Sequence, residues 1–102
     1  MTQSEPRAGL TFGPERAPRH KLFEPVSLWH DGASMRGHLL DLSATGALCH
    51  SDMPFRAGDR VLIDADCLGV AGRVVWSGGK RFGLHFEAAL PASVLDRVLH
   101  QS

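Results

Sequence analysis

The strongest constraint on the fold is a series of short segments in which apolar and polar residues alternate, each ended by a turn signal. Such alternation is typical of strands with one buried face. Asp31-Gly32 is a strong hairpin signal between two of these segments. In all, the alternation predicts six strands, at about residues 26–30, 34–42, 47–50, 60–66, 70–76 and 82–86. So many short antiparallel strands in one small domain favour a closed barrel, because closure removes exposed edges.

The same alternation predicts which aromatic residues lie in the core. It places Val70, Val74 and Trp76 on one face of their strand. It also places Phe82 and Phe86 on one face of the next strand. We therefore expect Trp76, Phe82 and Phe86 to be core residues rather than a stacking surface for a ligand.

The end of the chain has a different period. Pro91 suits the first position of a helix. It is followed by an apolar stripe at helical spacing, formed with Leu90 by Val94, Leu95, Val98 and Leu99. We predict a short C-terminal helix at about residues 91–100, packed on an all-β barrel.

Length and charge narrow the function. With 102 residues the chain suits one domain, which we expect over residues 15–102 after a flexible leader at 1–14. Its formal net charge of zero argues against general DNA or RNA binding. Cys49 and Cys67 form no disulfide framework, and the sequence shows neither a secretion signal nor a membrane span. We interpret the protein as soluble and cytoplasmic, with no membrane partner.

The most informative motif for function is the segment from Asp41 to Gly46. In an extended chain, Leu40 and Leu42 would share one face, and the Asp41 carboxylate and the Ser43 hydroxyl would stand side by side on the other. Gly46 would then allow a turn through backbone angles closed to other residues. This pattern also occurs in ordinary turns, so the motif needs support from elsewhere in the chain.

That support comes from a basic segment at residues 15–21. It carries Arg16, Arg19, His20 and Lys21. A ligand that uses both segments would bring phosphates to the cations and a pair of hydrogen-bond donors to Asp41. Guanine has such a donor pair, and arginine can both bridge phosphate oxygens and stack on a base. We predict a site for a guanine nucleotide with more than one phosphate, in which binding orders the basic segment as a switch.

Several further segments extend the pattern along the chain. In order, they are the basic segment, Asp-x-Ser-x-x-Gly at 41–46, Gly-Asp-Arg-Val at 58–61, Val-Val-Trp at 74–76 and Phe-Gly-Leu-His-Phe at 82–86. Over about residues 15–99 this order and spacing resemble the PilZ domain, the bacterial receptor for cyclic di-GMP. The resemblance implies a six-stranded antiparallel barrel with a terminal helix, and a stacked ligand pair in many members.

The resemblance also implies roles for the site residues. Asp41, Ser43 and Gly46 match the family's second motif, so Asp41 and Ser43 would contact guanine. The family's first motif has two arginines separated by three residues, whereas Arg16 and Arg19 are separated by two. Arg19 is expected to make the main phosphate and base contact and Arg16 the next, with His20 and Lys21 assisting. The implied protein has no cofactor and is not an enzyme, and it signals to a protein partner whose identity the sequence does not give.

Other functions have less support. His38, Cys49, His50 and Cys67 have no standard zinc spacing, so we expect no metal site. Ser43 and Asp41 lack the surroundings of a catalytic nucleophile, so we expect no catalytic residues. The remaining alternative is a PilZ-like module that binds a protein partner and not the nucleotide.

Overall fold

A computed structural model describes residues 17–101, and the leader at 1–14 together with Arg16 lies outside them. The elements of the described chain are β1 (His20–His30), β2 (Ala33–Leu42), β3 (Gly46–Ser51), β4 (Arg60–Ala65), β5 (Leu68–Gly78), β6 (Arg81–Phe86) and α1 (Ala92–Gln101). The six strands form one closed antiparallel barrel in the order β1-β2-β3-β6-β5-β4. The predicted all-β barrel with a short C-terminal helix is confirmed.

The β1–β2 hairpin forms at the predicted turn. Asp31 and Gly32 both have positive φ, at 52° and 78°. Two consecutive positive φ values are what a tight two-residue hairpin turn requires, and Asp-Gly tolerates them well. The turn sets the register in which Trp29 pairs with Ser34, and the register shifts between Glu24 and Lys21, beyond which Lys21 pairs with Asp41.

The barrel interior is filled by one hydrophobic cluster. Its fully buried members include Leu28, Leu39, Leu42, Val61, Ile63 and Phe82. Leu90, just before α1, and Val98 of α1 join the same cluster, and Val94 and Leu95 pack against it, so α1 packs on the barrel with its apolar stripe. The helix therefore adds apolar residues to the core.

A β-bulge changes the alternation in β2. Leu39 pairs with Cys49, but Asp41 pairs with the next residue of β3, Leu48, so Leu40 is the extra residue. The fully buried leucines are consequently Leu39 and Leu42, and Leu40 is only partly buried. The prediction that Leu40 and Leu42 share a buried face is wrong, because an inserted residue shifts the parity of the strand.

A second bulge changes β5. Val74 pairs with Leu84 and Trp76 with Gly83, which leaves Val75 as the extra residue. The predicted core positions of Phe82 and Phe86 in β6 are confirmed, since both residues are buried. Trp76 is 46% exposed, so its predicted place in the core is wrong.

Candidate functional site

The Asp41 carboxylate lies at the centre of the candidate site. Asp41 is flanked in the sheet by Lys21 of β1 and Leu48 of β3. The β2 bulge precedes it, and its side chain is only 15% exposed. A half-sheltered carboxylate on a rigid strand can accept two parallel hydrogen bonds from one planar partner.

Arg19 contacts this carboxylate in the described chain. Its Nε donates to Oδ1 and Oδ2 of Asp41 at 3.3 and 3.1 Å, and its Nη2 lies 3.1 Å from Oδ2. The position follows from the register, because Arg19 immediately precedes β1 and the first residues of β1 pair with the end of β2. The Arg19 side chain is 64% exposed, and exposed ion pairs contribute at most about 1 kcal/mol to stability. The contact therefore shows where Arg19 lies but contributes little to the stability of the fold.

The basic segment is less free than the sequence indicated. β1 begins at His20, six residues before the predicted strand, and His20 and Lys21 pair with Leu42 and Asp41. Because neighbouring residues of a strand point to opposite faces, Lys21 shares the face of Asp41 and His20 does not. Lys21 is exposed and His20 is half-buried.

Ser43 shapes the turn that follows Asp41. Its Oγ accepts hydrogen bonds from the backbone N–H groups of Thr45 and Gly46, at 3.2 and 3.1 Å. Its own N–H donates to the Gly46 carbonyl at 2.9 Å. Ser43 is almost fully buried, so in this structure its hydroxyl serves the turn.

Gly46 is needed for a reason other than the predicted one. Its φ is not positive, so the turn does not depend on angles closed to other residues. A Cβ at this position would instead overlap the carbonyl oxygen of Leu84 on β6. Gly46 allows close approach of β3 and β6, which keeps the turn tight against the barrel.

An open cleft of about 280 Å³ lies beside this turn. Its lining includes Arg19, Ser43, Thr45 and Gly46, together with Trp76, Gly83 and His85. The Trp76 indole covers Gly83, where a Cβ would overlap the ring atoms Nε1, Cδ1 and Cε2. The cleft thus combines hydrogen-bonding groups and a cation with a flat aromatic surface.

One row of paired residues connects Asp41 with this aromatic surface. Across neighbouring strands Asp41 pairs with Leu48, Leu48 with Gly83, and Gly83 with Trp76. Leu48 faces outward between the buried Ala47 and Cys49. At roughly 4.8 Å between strands, the ring over Gly83 lies about 10 Å from Asp41, with Leu48 between them.

The structure therefore brings most predicted site residues together. Arg19, Lys21, Asp41, Ser43 and Gly46 lie around one end of β2, and Arg16 lies outside the described residues. Sequence reasoning missed Trp76 and His85 as cleft residues. The signal for Trp76 was its pairing partner Gly83, which leaves room for a ring, but a bulge cannot be recognised from alternation alone.

The described residues show little that points to other chemistry. Among residues 17–101, no three His, Cys, Asp or Glu side chains are placed to hold a metal ion. The rings of His38 and His50 lie near each other, with centroids 6.3 Å apart. Cys49 is buried, and burial raises the pKa of its thiol to about 12. No helix in the described part of the chain has the length and apolar character needed to cross a bilayer.

A small closed barrel with an outer-face cleft of this kind defines a class of binding modules. A family model, described as the PilZ domain, matches residues 15–101. The chain belongs to the PilZ domain family, whose members are binding modules and generally receptors for cyclic di-GMP. A search of curated proteins finds no match to the chain.

Proposed function

We propose that this domain is a receptor for cyclic di-GMP. The observation that carries the proposal is the contact of Arg19 with Asp41 at the rim of the cleft, which brings the cationic segment to the acceptor group. Family membership supports the same ligand, because PilZ domains are generally receptors for it.

Asp41 is the group that would recognise guanine. The N1–H and the exocyclic amine of guanine are adjacent donors, and a carboxylate accepts both. Adenine has an acceptor nitrogen in place of that N1–H, so it would leave the sheltered carboxylate without its second bond. Ser43 and Gly46 would hold the turn beside the bound base.

The cations would bind the phosphates. Arg19 and Lys21 lie on the same side of the barrel as Asp41, and Arg16 and His20 complete the predicted set. A nucleotide whose base edge lies on Asp41 would pass over Leu48 toward the exposed Trp76 ring. Stacking of a base on an aromatic ring contributes about 1–3 kcal/mol.

The proposed output is a change in the basic segment. Phosphate binding by Arg16 and Arg19 would fix the chain before β1 against the cleft, and a protein partner would sense the new surface. In this scheme the domain is a cytoplasmic bacterial receptor and carries no catalytic group.

Calorimetric titration with cyclic di-GMP tests the proposal. We expect binding by the wild-type protein and none of cyclic di-AMP. Asp41→Ala should weaken binding by about one to two decades, the usual loss for a charged hydrogen bond. The double variant Asp41→Ala/Arg19→Ala should bind more weakly still. Matched controls are Asp64→Ala and Arg97→Ala, both exposed and away from the cleft, which should bind like wild type.

Two results would count against the proposal. No heat at high micromolar ligand would reject the receptor function and favour a module that binds only protein. Full binding by the double variant would reject the assignment of residues while leaving the ligand in place. Trp76 fluorescence, measured in a Trp29→Phe background, reports whether the ligand reaches the cleft.

A further inference from the structure

The contact between Arg19 and Asp41 has the chemistry of base recognition. Nε and Nη2 of Arg19 are two nitrogens on one carbon; the Nε–H donates to both oxygens of Asp41, and Nη2 lies 3.1 Å from Oδ2. Guanine presents the same arrangement, because its N1–H and its exocyclic amine also flank one carbon. Arg19 therefore presents Asp41 with two nitrogens on one carbon, the arrangement that a guanine edge would also present.

We infer that Arg19 is an internal substitute for guanine, which occupies Asp41 in the ligand-free protein and must leave before a base can bind. This inference rests on the proposed function and adds a step to it. On binding, the base edge takes the carboxylate, and the released guanidinium becomes available to a phosphate or to the face of the base.

The environment of Arg19 suits such an exchange. Within residues 17–101 the guanidinium makes no other hydrogen bond or ion pair, so nothing else in that range holds it. The arginine side chain is largely exposed, whereas Asp41 is sheltered on its strand. Arg19 can therefore swing into solvent while the acceptor stays in position.

Competition of this kind lowers affinity in a predictable way. An exposed ion pair changes an equilibrium constant by at most about fivefold. Occupation of the carboxylate by Arg19 should therefore weaken guanine binding by up to about that factor. This loss of affinity applies to ligands that bind Asp41 and not to ligands that bind elsewhere. The contact would thus raise the threshold of the receptor for ligands that bind Asp41.

The first test follows Arg19 directly by nuclear magnetic resonance of its Nε–H group. In the free protein this resonance should differ from that of Asp41→Asn, in which the carboxylate is lost. Saturating cyclic di-GMP should move it away from the Asp41-bound position. A free protein whose Arg19 resonance already matches Asp41→Asn overturns the inference and leaves the receptor function untouched.

The ligand arm of the same experiment separates the two hypotheses. If cyclic di-GMP binds while Arg19 keeps its Asp41-bound resonance, the exchange is wrong and the receptor function stands. If cyclic di-GMP causes no spectral change at all, both the receptor function and the exchange are wrong.

The second test uses guanosine monophosphate, which has one base and one phosphate. Arg19→Lys keeps the charge for the phosphate but cannot present two donors on one carbon to Asp41. We expect Arg19→Lys to bind guanosine monophosphate up to about fivefold more tightly than wild type, with no gain for adenosine monophosphate. Adding Asp41→Ala should abolish the gain. Equal or weaker binding of guanosine monophosphate by Arg19→Lys overturns the inference.

Discussion

The Arg60 guanidinium reaches across β5 to the carboxylate of Glu87, with Nε 2.6 Å from Oε2 and Nη2 3.2 Å from Oε1. Arg60 begins β4, and Glu87 follows the last residue of β6. The pair therefore connects the start of β4 with the end of β6, two strands that are not neighbours in the barrel.

This contact makes a pH-dependent contribution to stability. The hydrogen bond from Arg60, together with nearby positive charge, lowers the pKa of Glu87 below its ordinary 4.5. A carboxyl group whose pKa is lower in the folded state stabilises the fold above the unfolded pKa, and that stability is lost as pH falls through the folded pKa. We predict that Glu87→Gln lowers the urea midpoint at pH 7 and that the difference from wild type disappears in acid.

The matched control is Asp64→Asn. Asp64 is exposed and has no ion pair within the described residues, so its substitution should change the midpoint little at either pH. Salt at 1 M should also reduce the effect of Glu87→Gln, because the pair is exposed. A difference between Glu87→Gln and wild type that stays constant from pH 7 to pH 3 would contradict the interpretation.

The two cysteines should differ sharply in reactivity. Cys49 is fully buried with its pKa raised to about 12, and Cys67 is partly exposed. Because the thiolate is the reactive form, a disulfide reagent at pH 8 should modify Cys67 quickly and Cys49 only after unfolding in urea. Cys67→Ser should remove the fast reaction. Equal rates for both thiols in the native protein would show that the barrel opens at β3.

Cys49 should also make the fold sensitive to alkali. Its folded pKa lies above the ordinary value of 9.0, so the stability tied to the neutral thiol is complete below pH 9 and is lost as pH rises toward 12. The free energy of unfolding, measured by urea denaturation from pH 8 to pH 11, should fall more steeply for wild type than for Cys49→Ala, which has no thiol to ionise. Parallel pH profiles would mean that Cys49 does not contribute.

How far the sequence predicts this fold depends on the strand. Where alternation continues without interruption, as around Ile63 and Phe82, the predicted strand and its buried face are confirmed. Where one residue is inserted, as at Leu40 and Val75, every later side chain changes face. The sequence pattern contains no mark of such an insertion, because bulges depend on pairing with the neighbouring strand.

The start of β1 could not be predicted from the sequence, for a different reason. The first predicted strand began at residue 26, yet Pro25 pairs with His38 of β2 and the strand begins at His20. β4 pairs with β1 only from Ser27 to Trp29, so Pro25 has a single neighbouring strand there. At such an edge the missing N–H of a proline is tolerated. The placement of Arg19 beside Asp41 follows from this extension and could not be derived from the sequence of the segment alone.

The contact between Trp76 and Gly83 should be testable by substitution of the glycine. Gly83→Ala places a Cβ where the indole lies, so the ring must move into solvent. In a Trp29→Phe background we expect red-shifted emission and a loss of about 1–3 kcal/mol of stability, as for other overpacked sites. The matched control is Gly69→Ala, at an exposed position of β5 with no atom within 4 Å of its Cβ position, which should leave the emission unchanged. Unchanged emission in Gly83→Ala would contradict the predicted contact.

The turn at residues 43–46 connects the candidate site with the segment before α1. Thr45 and Ala44 accept backbone hydrogen bonds from Phe86 and Leu90, at 2.9 and 2.7 Å. The Ser43 hydroxyl holds this turn in shape through its bonds to the next backbone N–H groups. A substitution at Ser43 should therefore loosen the backbone hydrogen bonds of Phe86 and Leu90, just before α1.

Ser43→Ala removes the acceptor for two backbone donors in a buried turn, so we expect a loss of about 1–3 kcal/mol in the free energy of unfolding. The amide hydrogens of Phe86 and Leu90 should exchange faster, because the carbonyl groups they bind belong to the loosened turn. Ser34→Ala, at an exposed position of β2, is the control and should change neither quantity. If Ser43→Ala destabilises the barrel while exchange at Leu90 rises no more than at a distant amide such as Ile63, the turn is not coupled to the helix. Faster exchange concentrated at Phe86 and Leu90 would instead show that the Asp-x-Ser-x-x-Gly turn reaches α1 through these two backbone hydrogen bonds.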